Sequence, residues 1–312
     1  MKFTAKNTAF WGTATALALA TALISGTNNF LAKIAVNALK DPIAFTTVKN
    51  GVVAVILVGL LVAFNKRQEI ADLTKHQWIR LVLIGVIGGS IPFAMFFTGL
   101  SMTAAVNAAF IHKTLFIWVA LLAIPLLKER ISPLQWLGIA AIFTANLVIG
   151  GFKGFKFDTG ELLVLGATMF WAIENIIAKI TLKDVSALTV TCARMVFGSV
   201  VLSGFLLVTG RFPDLTAITA TQWSWTMLTS LLLLGYVITW YSALKRAPVT
   251  YVATLLVPAV MVTNILSAIF VTHSFPLKQA VGLGLFVAGA AWVIMSARAT
   301  KPAVTNPAPA NG

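Results

Sequence analysis

The sequence predicts an all-α polytopic membrane protein, with ten transmembrane helices arranged as two inverted five-helix repeats. Composition is the first of three observations that predict it: of 312 residues, 59% are hydrophobic and 10% are charged. Soluble domains carry about 25% charged residues, so a chain this apolar requires lipid around it. The other two observations are the spacing of the apolar runs and an internal repeat.

Apolar runs long enough to span a bilayer recur along the whole chain. Ten of them begin near Phe10, Ile43, Trp78, Thr103, Leu134, Glu161, Ala187, Trp223, Pro248 and Leu277. The first run reaches about Val36, which is far longer than the apolar region of a cleavable signal peptide, so we expect it to belong to the fold.

The third observation is a polar pattern that the two halves of the chain share. The stretch SGTNNFLAKIAV, residues 25–36, aligns with WAIENIIAKITL, residues 171–182, which places Lys33 on Lys179 and Asn29 on Asn175. Because each repeat holds five spans, an odd number, the two repeats enter the membrane from opposite sides, as in many secondary transporters.

The predicted domain organisation follows from this repeat. Residues 1–9 form a cytoplasmic N-terminus, 10–152 the first repeat, 153–297 the second repeat, and 298–312 a polar, proline-rich cytoplasmic tail that we expect to be disordered. Loops on the side of both termini carry thirteen of the 23 Lys and Arg residues, and loops on the other side carry five. This bias predicts that both termini of this multi-pass protein are cytoplasmic, in the inner or plasma membrane.

Ionisable side chains within the predicted spans are the first candidates for a functional site, because a charge at the bilayer centre costs about 2.5–3.5 kcal/mol on insertion scales. Lys113 lies near the middle of the fourth span beside His112, and Glu174 lies near the centre of the sixth. Glu174 is predicted to form an internal ion pair, with Lys113 or another cation, and, compatibly with that, to couple transport to protons. Lys49 and Arg194, which match across the repeat, lie about 10 Å deep, and a cavity role and a structural role both stay open for them.

Lys33 and Lys179 lie closer to the ends of their spans. We expect them either to reach the membrane interface as snorkelling anchors or to line the outer and inner vestibules of a hydrated passage. Asn29 and Asn175 precede these lysines by four residues and therefore share a helix face with them, which favours the vestibule interpretation.

Aromatic residues and one proline complete the candidates. Aromatic side chains of the sixth and eighth spans are candidates for a pocket lining, although such residues near span ends also form interfacial belts. Pro258, in the ninth span, removes a backbone hydrogen bond and is predicted to form a gating kink. The predicted substrate-binding residues are Lys113, Glu174, Asn29, Asn175, Lys49, Arg194, His112, Trp171, Tyr236 and Trp240.

Composition and motifs also narrow the class of function. Five cations against one acid within the spans favour a substrate with a carboxylate or another anionic group. The net charge of +14 does not indicate nucleic-acid binding, because the cytoplasmic loops of polytopic proteins are basic. One cysteine, no zinc-ligand spacing and no Walker, GxSxG or HExxH motif lead us to expect no metal, cofactor or catalytic residue. The expected partners are a small-molecule substrate and membrane lipid, and a homodimer stays open.

Several stretches resemble the drug/metabolite transporter superfamily, and within it the EamA-type permeases of ten spans in two repeats. These stretches are NNFLAK with ENIIAK, LLKERISPLQWLGIAAI and YSALKRAPVTYVATLLVPAVMV, and the resemblance covers residues 10–297. Two departures stand out: HKTLF replaces the family's proline in the fourth span, and Thr272 replaces its acid after the ninth, although Glu129 is present in the first half. The resemblance implies transport of a small compound without specifying the cargo, and His112 and Lys113 suggest a subgroup with its own substrate.

The expected function is therefore secondary active transport of a small organic metabolite, with an amino acid or organic anion favoured. We expect export by alternating access, coupled to proton or solute exchange. Export of cationic drugs is the alternative within this class. An integral membrane enzyme acting on a lipid-linked substrate, and a passive channel or scaffold, are the alternatives from other classes.

Overall fold

The computed structural model describes the backbone of residues 5–39, 41–150 and 154–299, and the side chains of residues 11–31, 41–104, 107–149 and 154–296. Within these ranges every regular element is helical. The α-helices are α1 Ala5–Leu39, α2 Pro42–Ala63, α3 Arg67–Ala71, α4 Lys75–Gly89, α5 Ile91–Met102, α6 Ala105–Lys113, α7 Leu115–Leu127, α8 Pro133–Gly150, α9 Thr159–Thr181, α10 Ala187–Val208, α11 Ala220–Arg246, α12 Val249–Leu256, α13 Ala259–Ser267 and α14 Leu277–Ala299. A π-helical turn, Ala268–Thr272, follows α13.

Eight stretches of the described chain are long and apolar enough to cross a membrane. They are Pro42–Ala63, Lys75–Met102, Asn107–Leu127, Thr159–Thr181, Ala187–Val208, Ala220–Arg246, Val249–Thr272 and Leu277–Ser296. Eight of the predicted spans fall on these stretches, and the first and fifth fall on α1 and on the shorter apolar helix α8. The prediction of an all-α, multi-pass membrane protein is confirmed.

Three of the spans are each built from two helices separated by a break. The third breaks at Ser90, between α4 and α5, and the ninth breaks at Val257 and Pro258, between α12 and α13. Prolines explain both, because Pro92 and Pro258 lack the N–H that would continue the ladder of helix hydrogen bonds. The kink predicted at Pro258 is therefore present.

The break in the fourth span, between α6 and α7, lies at Thr114 and involves no proline. The Thr114 hydroxyl donates to the Ile111 carbonyl at 2.6 Å and accepts from the Trp118 indole N–H at 3.0 Å. Such side-chain bonds compete with the backbone ladder and favour a local turn. Sequence patterns do not predict this break.

Helices from the two halves of the chain pack against each other throughout the bundle. In the first half, α1 lies along α11 and contacts α12 and α13, while in the second half α9 contacts α4, α5, α6 and α7. The α2 and α4 helices both pack on α10, and α8 packs on α14. Where α4 crosses α10, a Cβ added to Gly89 would lie 2.9 Å from the Gly198 Cα, so only glycine permits this approach.

Candidate functional site

A buried carboxylate in the middle of α9 forms the centre of the candidate site. Glu174 is 2% exposed, and its Oε1 accepts a hydrogen bond of 2.5 Å from the hydroxyl of Tyr241, which is fully buried on α11. Gly88 of α4 lies against the same side chain, because a Cβ added to Gly88 would be 2.3 Å from the Glu174 Cγ. The acid is thus enclosed by helices from both halves of the chain.

The break in the third span supplies a backbone carbonyl to this site. In a continuous helix the Gly88 carbonyl would accept a hydrogen bond from the N–H of residue 92, but Pro92 has none. The carbonyl accepts instead from the Trp171 indole Nε1 and from the Arg194 Nη2, both at 3.0 Å. One proline therefore allows α4 to bind side chains of α9 and α10.

The hydrogen bond to the Gly88 carbonyl holds the Arg194 guanidinium next to Glu174. The two charged groups interact electrostatically, but the salt bridges within 4.0 Å that the described residues form are Lys66–Glu69 and Arg211–Asp41. The predicted ion pair between Lys113 and Glu174 is absent from the described contacts. Tyr241 and Arg194, instead of Lys113, lie next to the Glu174 carboxylate.

Lys113 is the last residue of α6, directly before the break at Thr114. Its ammonium group is partly buried and has no hydrogen-bond or salt-bridge partner in the described part of the chain. The ring of its neighbour His112 meets the Trp171 ring edge-on at 4.8 Å between centroids, and its Nδ1 is buried without a partner. Because Trp171 lies one helical turn before Glu174, the fourth-span break adjoins the central carboxylate.

Three further predicted site residues are Lys49 on α2 and Tyr236 and Trp240 on α11. The Lys49 ammonium lies over the Phe45 ring of its own helix, 5.2 Å from the centroid. Tyr236 and Trp240 stack with their centroids 6.2 Å apart. In the described contacts, the side chains of Lys49, Tyr236 and Trp240 therefore interact within their own helices.

The two predicted asparagines differ in burial. Asn175 is buried, its Nδ2 donates to the Trp171 carbonyl at 3.0 Å, and its Oδ1 has no partner. Asn29 is exposed, and it is the adjacent Asn28 that is buried, with an unpaired Oδ1. The side chain of Lys33 lies outside the described residues.

Two charged side chains hold helix ends together at one end of the bundle. The Lys179 Nζ donates to the carbonyls of Leu244 and Ala247, at 2.5 and 2.6 Å, where α11 ends. Glu129 accepts from the first two backbone N–H groups of α12, at 2.7 and 3.2 Å. Each charge meets the helix end of opposite partial charge, so Lys179 binds protein backbone instead of serving as a free interfacial anchor.

Sequence reasoning missed two members of this arrangement. The Gly88 carbonyl was not a candidate, although the four-residue spacing of Gly88 and Pro92 is a signal for a freed acceptor. The helix-capping role of Glu129 has no local signal, because its partners lie about 120 residues later. Among the described residues, no three His, Cys, Asp or Glu side chains converge as they would around a metal ion.

A model of the EamA-like transporter family matches this chain twice, over residues 12–151 and 158–295. The chain belongs to the EamA-like transporter family. It is therefore a transporter of the drug/metabolite transporter superfamily, and the resemblance noted in the sequence is confirmed.

Relatives of this EamA protein are themselves named as uncharacterized transporters. YyaM of Bacillus subtilis is 29% identical over 181 residues, which cover 55% of this chain and only 58% of YyaM. A protein of Archaeoglobus fulgidus is 26% identical over 286 residues, which cover 90% of this chain and 93% of the relative. A solved crystal structure shares the fold, with a TM-score of 0.76 at 16% identity over 93% of this chain and 99% of the other. Neither relative's name specifies a cargo.

Proposed function

We propose that this EamA transporter is a secondary active transporter of the cell membrane that exports a small organic metabolite, with an amino acid favoured. It works by alternating access and exchanges substrate for protons or another solute. The observation that carries the proposal is the buried Glu174, held by Tyr241 beside Arg194 where two interrupted spans adjoin it. Interrupted helices at the interface between repeats are typical of substrate and ion sites in secondary transporters.

Ten spans in two inverted halves are part of this proposal, and the packing supports them. α1 stands in the first family match where α9 stands in the second, and each packs against the third and fourth spans of the opposite half. The equivalent helices α2 and α10 contact each other, as do α8 and α14. A two-fold axis in the membrane plane would relate these contacts.

The charges of the site favour a substrate that carries both an amine and a carboxylate. Arg194 is compensated by Glu174 and by the Gly88 carbonyl, whereas Lys113 has no partner among the described residues. A substrate carboxylate bound to Lys113 would balance that charge. Its ammonium group would bind Glu174, so a proton arriving on Glu174 would displace it, and substrate and proton would move in opposite directions.

The contacts of Lys179 and Glu129 supply a gate for this cycle. If the loop charges orient the protein as the sequence predicts, with both termini cytoplasmic, these contacts lie at the cytoplasmic end. They tie the ends of α11 and α12 to the rest of the bundle. In the inward-facing state these bonds would open and expose Glu174 to the cytoplasm.

Replacement of Glu174 by Gln tests the proposal in proteoliposomes that contain a trapped pH-sensitive dye. A panel of amino acids, organic acids without an amine, and amines without a carboxylate is offered with and without a pH gradient. We expect wild-type protein to accumulate amino acids against their gradient with proton counter-movement, and Glu174→Gln to lose that coupling. Glu161→Gln, at the other buried glutamate of α9, is the control that retains coupling. Full proton-driven accumulation by Glu174→Gln would refute the proposal.

Export of cationic compounds is the second candidate, because one observation favours it. The rings of Phe93 and Phe96 lie 5.2 and 5.8 Å from the Trp171 ring, and such ring clusters attract organic cations. In that case amines without a carboxylate would be the best substrates of the panel, and their transport would not depend on Lys113.

A further inference from the structure

An apolar groove lies between α2, α3, α4 and α10, with a volume of about 250 Å³. Its lining is aliphatic and aromatic except for Arg67, Thr189 and Cys192. Val58 and Val62 are exposed on the outer surface of α2, so the groove opens toward the surrounding lipid.

Arg67 is the cation of this groove, and the nearest acid along α3, Glu69, is bonded to other residues. In the described part of the chain its guanidinium has no salt bridge or hydrogen bond. Arg211, which follows α10 as Arg67 follows α2, instead pairs at 2.7 Å with Asp41, the N-cap of α2. The N-cap of α10 is Ser186, and the acid that binds this helix start is Glu69. The Glu69 carboxylate is engaged by Lys66, the Ser186 N–H and the Thr189 hydroxyl, and it forms no ion pair with Arg67 in the described contacts.

We propose that the groove binds an anionic phospholipid, with one acyl chain in the apolar part and the phosphate on Arg67. Guanidinium groups bind phosphate oxygens through paired hydrogen bonds, and Arg67 lies beyond the end of a membrane span, at the depth of lipid headgroups. Lys75 and Arg80 lie near the same helix ends and add positive potential there. An apolar slot that ends at an unpaired arginine matches the chemistry of one lipid molecule.

Val58→Cys, made in a Cys192→Ala background, provides a direct readout, because Val58 lines the groove and is exposed, whereas the native Cys192 is buried. Labelling with N-ethylmaleimide is followed by mass spectrometry in detergent, with added phosphatidylglycerol, phosphatidylcholine or acyl-free glycerol phosphate. At a lipid concentration ten times its dissociation constant, the empty fraction falls to about one eleventh, so labelling should slow about tenfold. We expect this protection at lower concentrations of phosphatidylglycerol than of phosphatidylcholine, and none from glycerol phosphate.

Two variants test which part of the groove binds the lipid phosphate and which part binds the acyl chain. Arg67→Gln should remove the preference for phosphatidylglycerol and leave weaker protection by both lipids, whereas Arg130→Gln, an exposed arginine at the same end, should keep the preference. Ala193→Phe fills the groove and should abolish lipid protection. An unchanged preference in Arg67→Gln, protection by glycerol phosphate alone, or equal labelling of the Val58→Cys protein with and without lipid would each overturn the proposal. The labelling of the Val58→Cys protein decides the question even if Ala193→Phe does not fold.

Discussion

The fourth and ninth spans occupy equivalent places in the two halves of this transporter, and both are interrupted, yet the two breaks differ in chemistry. Pro258 makes the ninth-span break, which is packed against α1: a Cβ on Gly26 would lie 2.4 Å from the Ala259 carbonyl. Lys113 ends the helix before the fourth-span break and is left without a described partner. The break in the ninth span therefore contributes to helix packing, whereas the break in the fourth span follows a lysine that has no described partner.

The largest expected effect comes from removing that charge. Lys113→Met should weaken binding of carboxylate substrates by roughly 10- to 150-fold, because a hydrogen bond to a charged group contributes about 1.5–3 kcal/mol. Pro258→Ala should change substrate affinity much less, and Lys113→Arg should retain most of it. Counterflow of labelled amino acids in proteoliposomes measures all three. Equal losses in Lys113→Met and Pro258→Ala would mean that the two breaks are functionally alike.

A second large effect is expected at the third-span break, the other interruption beside Glu174. Gly88→Ala places a methyl group 2.3 Å from the Glu174 Cγ, and such overpacking costs about 1–3 kcal/mol. We expect loss of transport together with a lower unfolding temperature. Gly204→Ala in α10 is the matched control, because a Cβ there meets nothing within 4 Å, and it should behave as wild type. Normal transport by Gly88→Ala would show that Glu174 does not need its present position.

A smaller effect tests whether the acid after the fourth span stabilises the ninth. Glu129→Gln removes a negative charge from the N-terminus of α12, an interaction of about 0.3–1 kcal/mol. Hydrogen exchange of the first amides of α12 should speed up by roughly two- to fivefold, while the exchange of α6, which has no such acid in the described contacts, should not change. Equal exchange of α12 in the variant and the wild type would remove Glu129 from the gate.

The smallest effect concerns the place where the second span ends and the seventh span begins, because Glu69 binds the start of α10 there. Burial raises the pKa of Glu69, but hydrogen bonds from Ser186, Lys66 and Thr189 outweigh it and lower the pKa below its usual 4.5. Its contribution to stability, below about 1 kcal/mol for a partly exposed group, is present above pH 4.5 and is lost as the pH falls through the lowered value.

This contribution is measured by comparing wild type with Glu69→Gln. The difference in unfolding temperature between them should be largest near neutral pH and should vanish in acid below the lowered pKa. A difference that does not depend on pH would show that the charge of Glu69 is not what stabilises α10.

Sequence patterns located most of the helices and part of the site. The predicted candidates Glu174, Arg194, Trp171 and His112 meet in one cluster around the Gly88 carbonyl. Lys49, engaged by Phe45, and the exposed Asn29 do not show such contacts. The alignment of the repeats matches residue types between the two halves of the chain. Equivalent residues nevertheless have different neighbours in the structure, because the surrounding sequences differ.

By itself, the sequence determined that this chain folds as a helical bundle in lipid and which charged residues lie within its spans. Hydropathy and the need to satisfy every backbone hydrogen bond act within windows of about 20 residues, so they can be read locally. Only the tertiary structure decided that Arg194 binds the carbonyl freed by Pro92, and that Lys113 is left without a partner among the described residues. Those outcomes depend on which helices meet, and the groups that bind Gly88 lie 83 and 106 residues away along the chain.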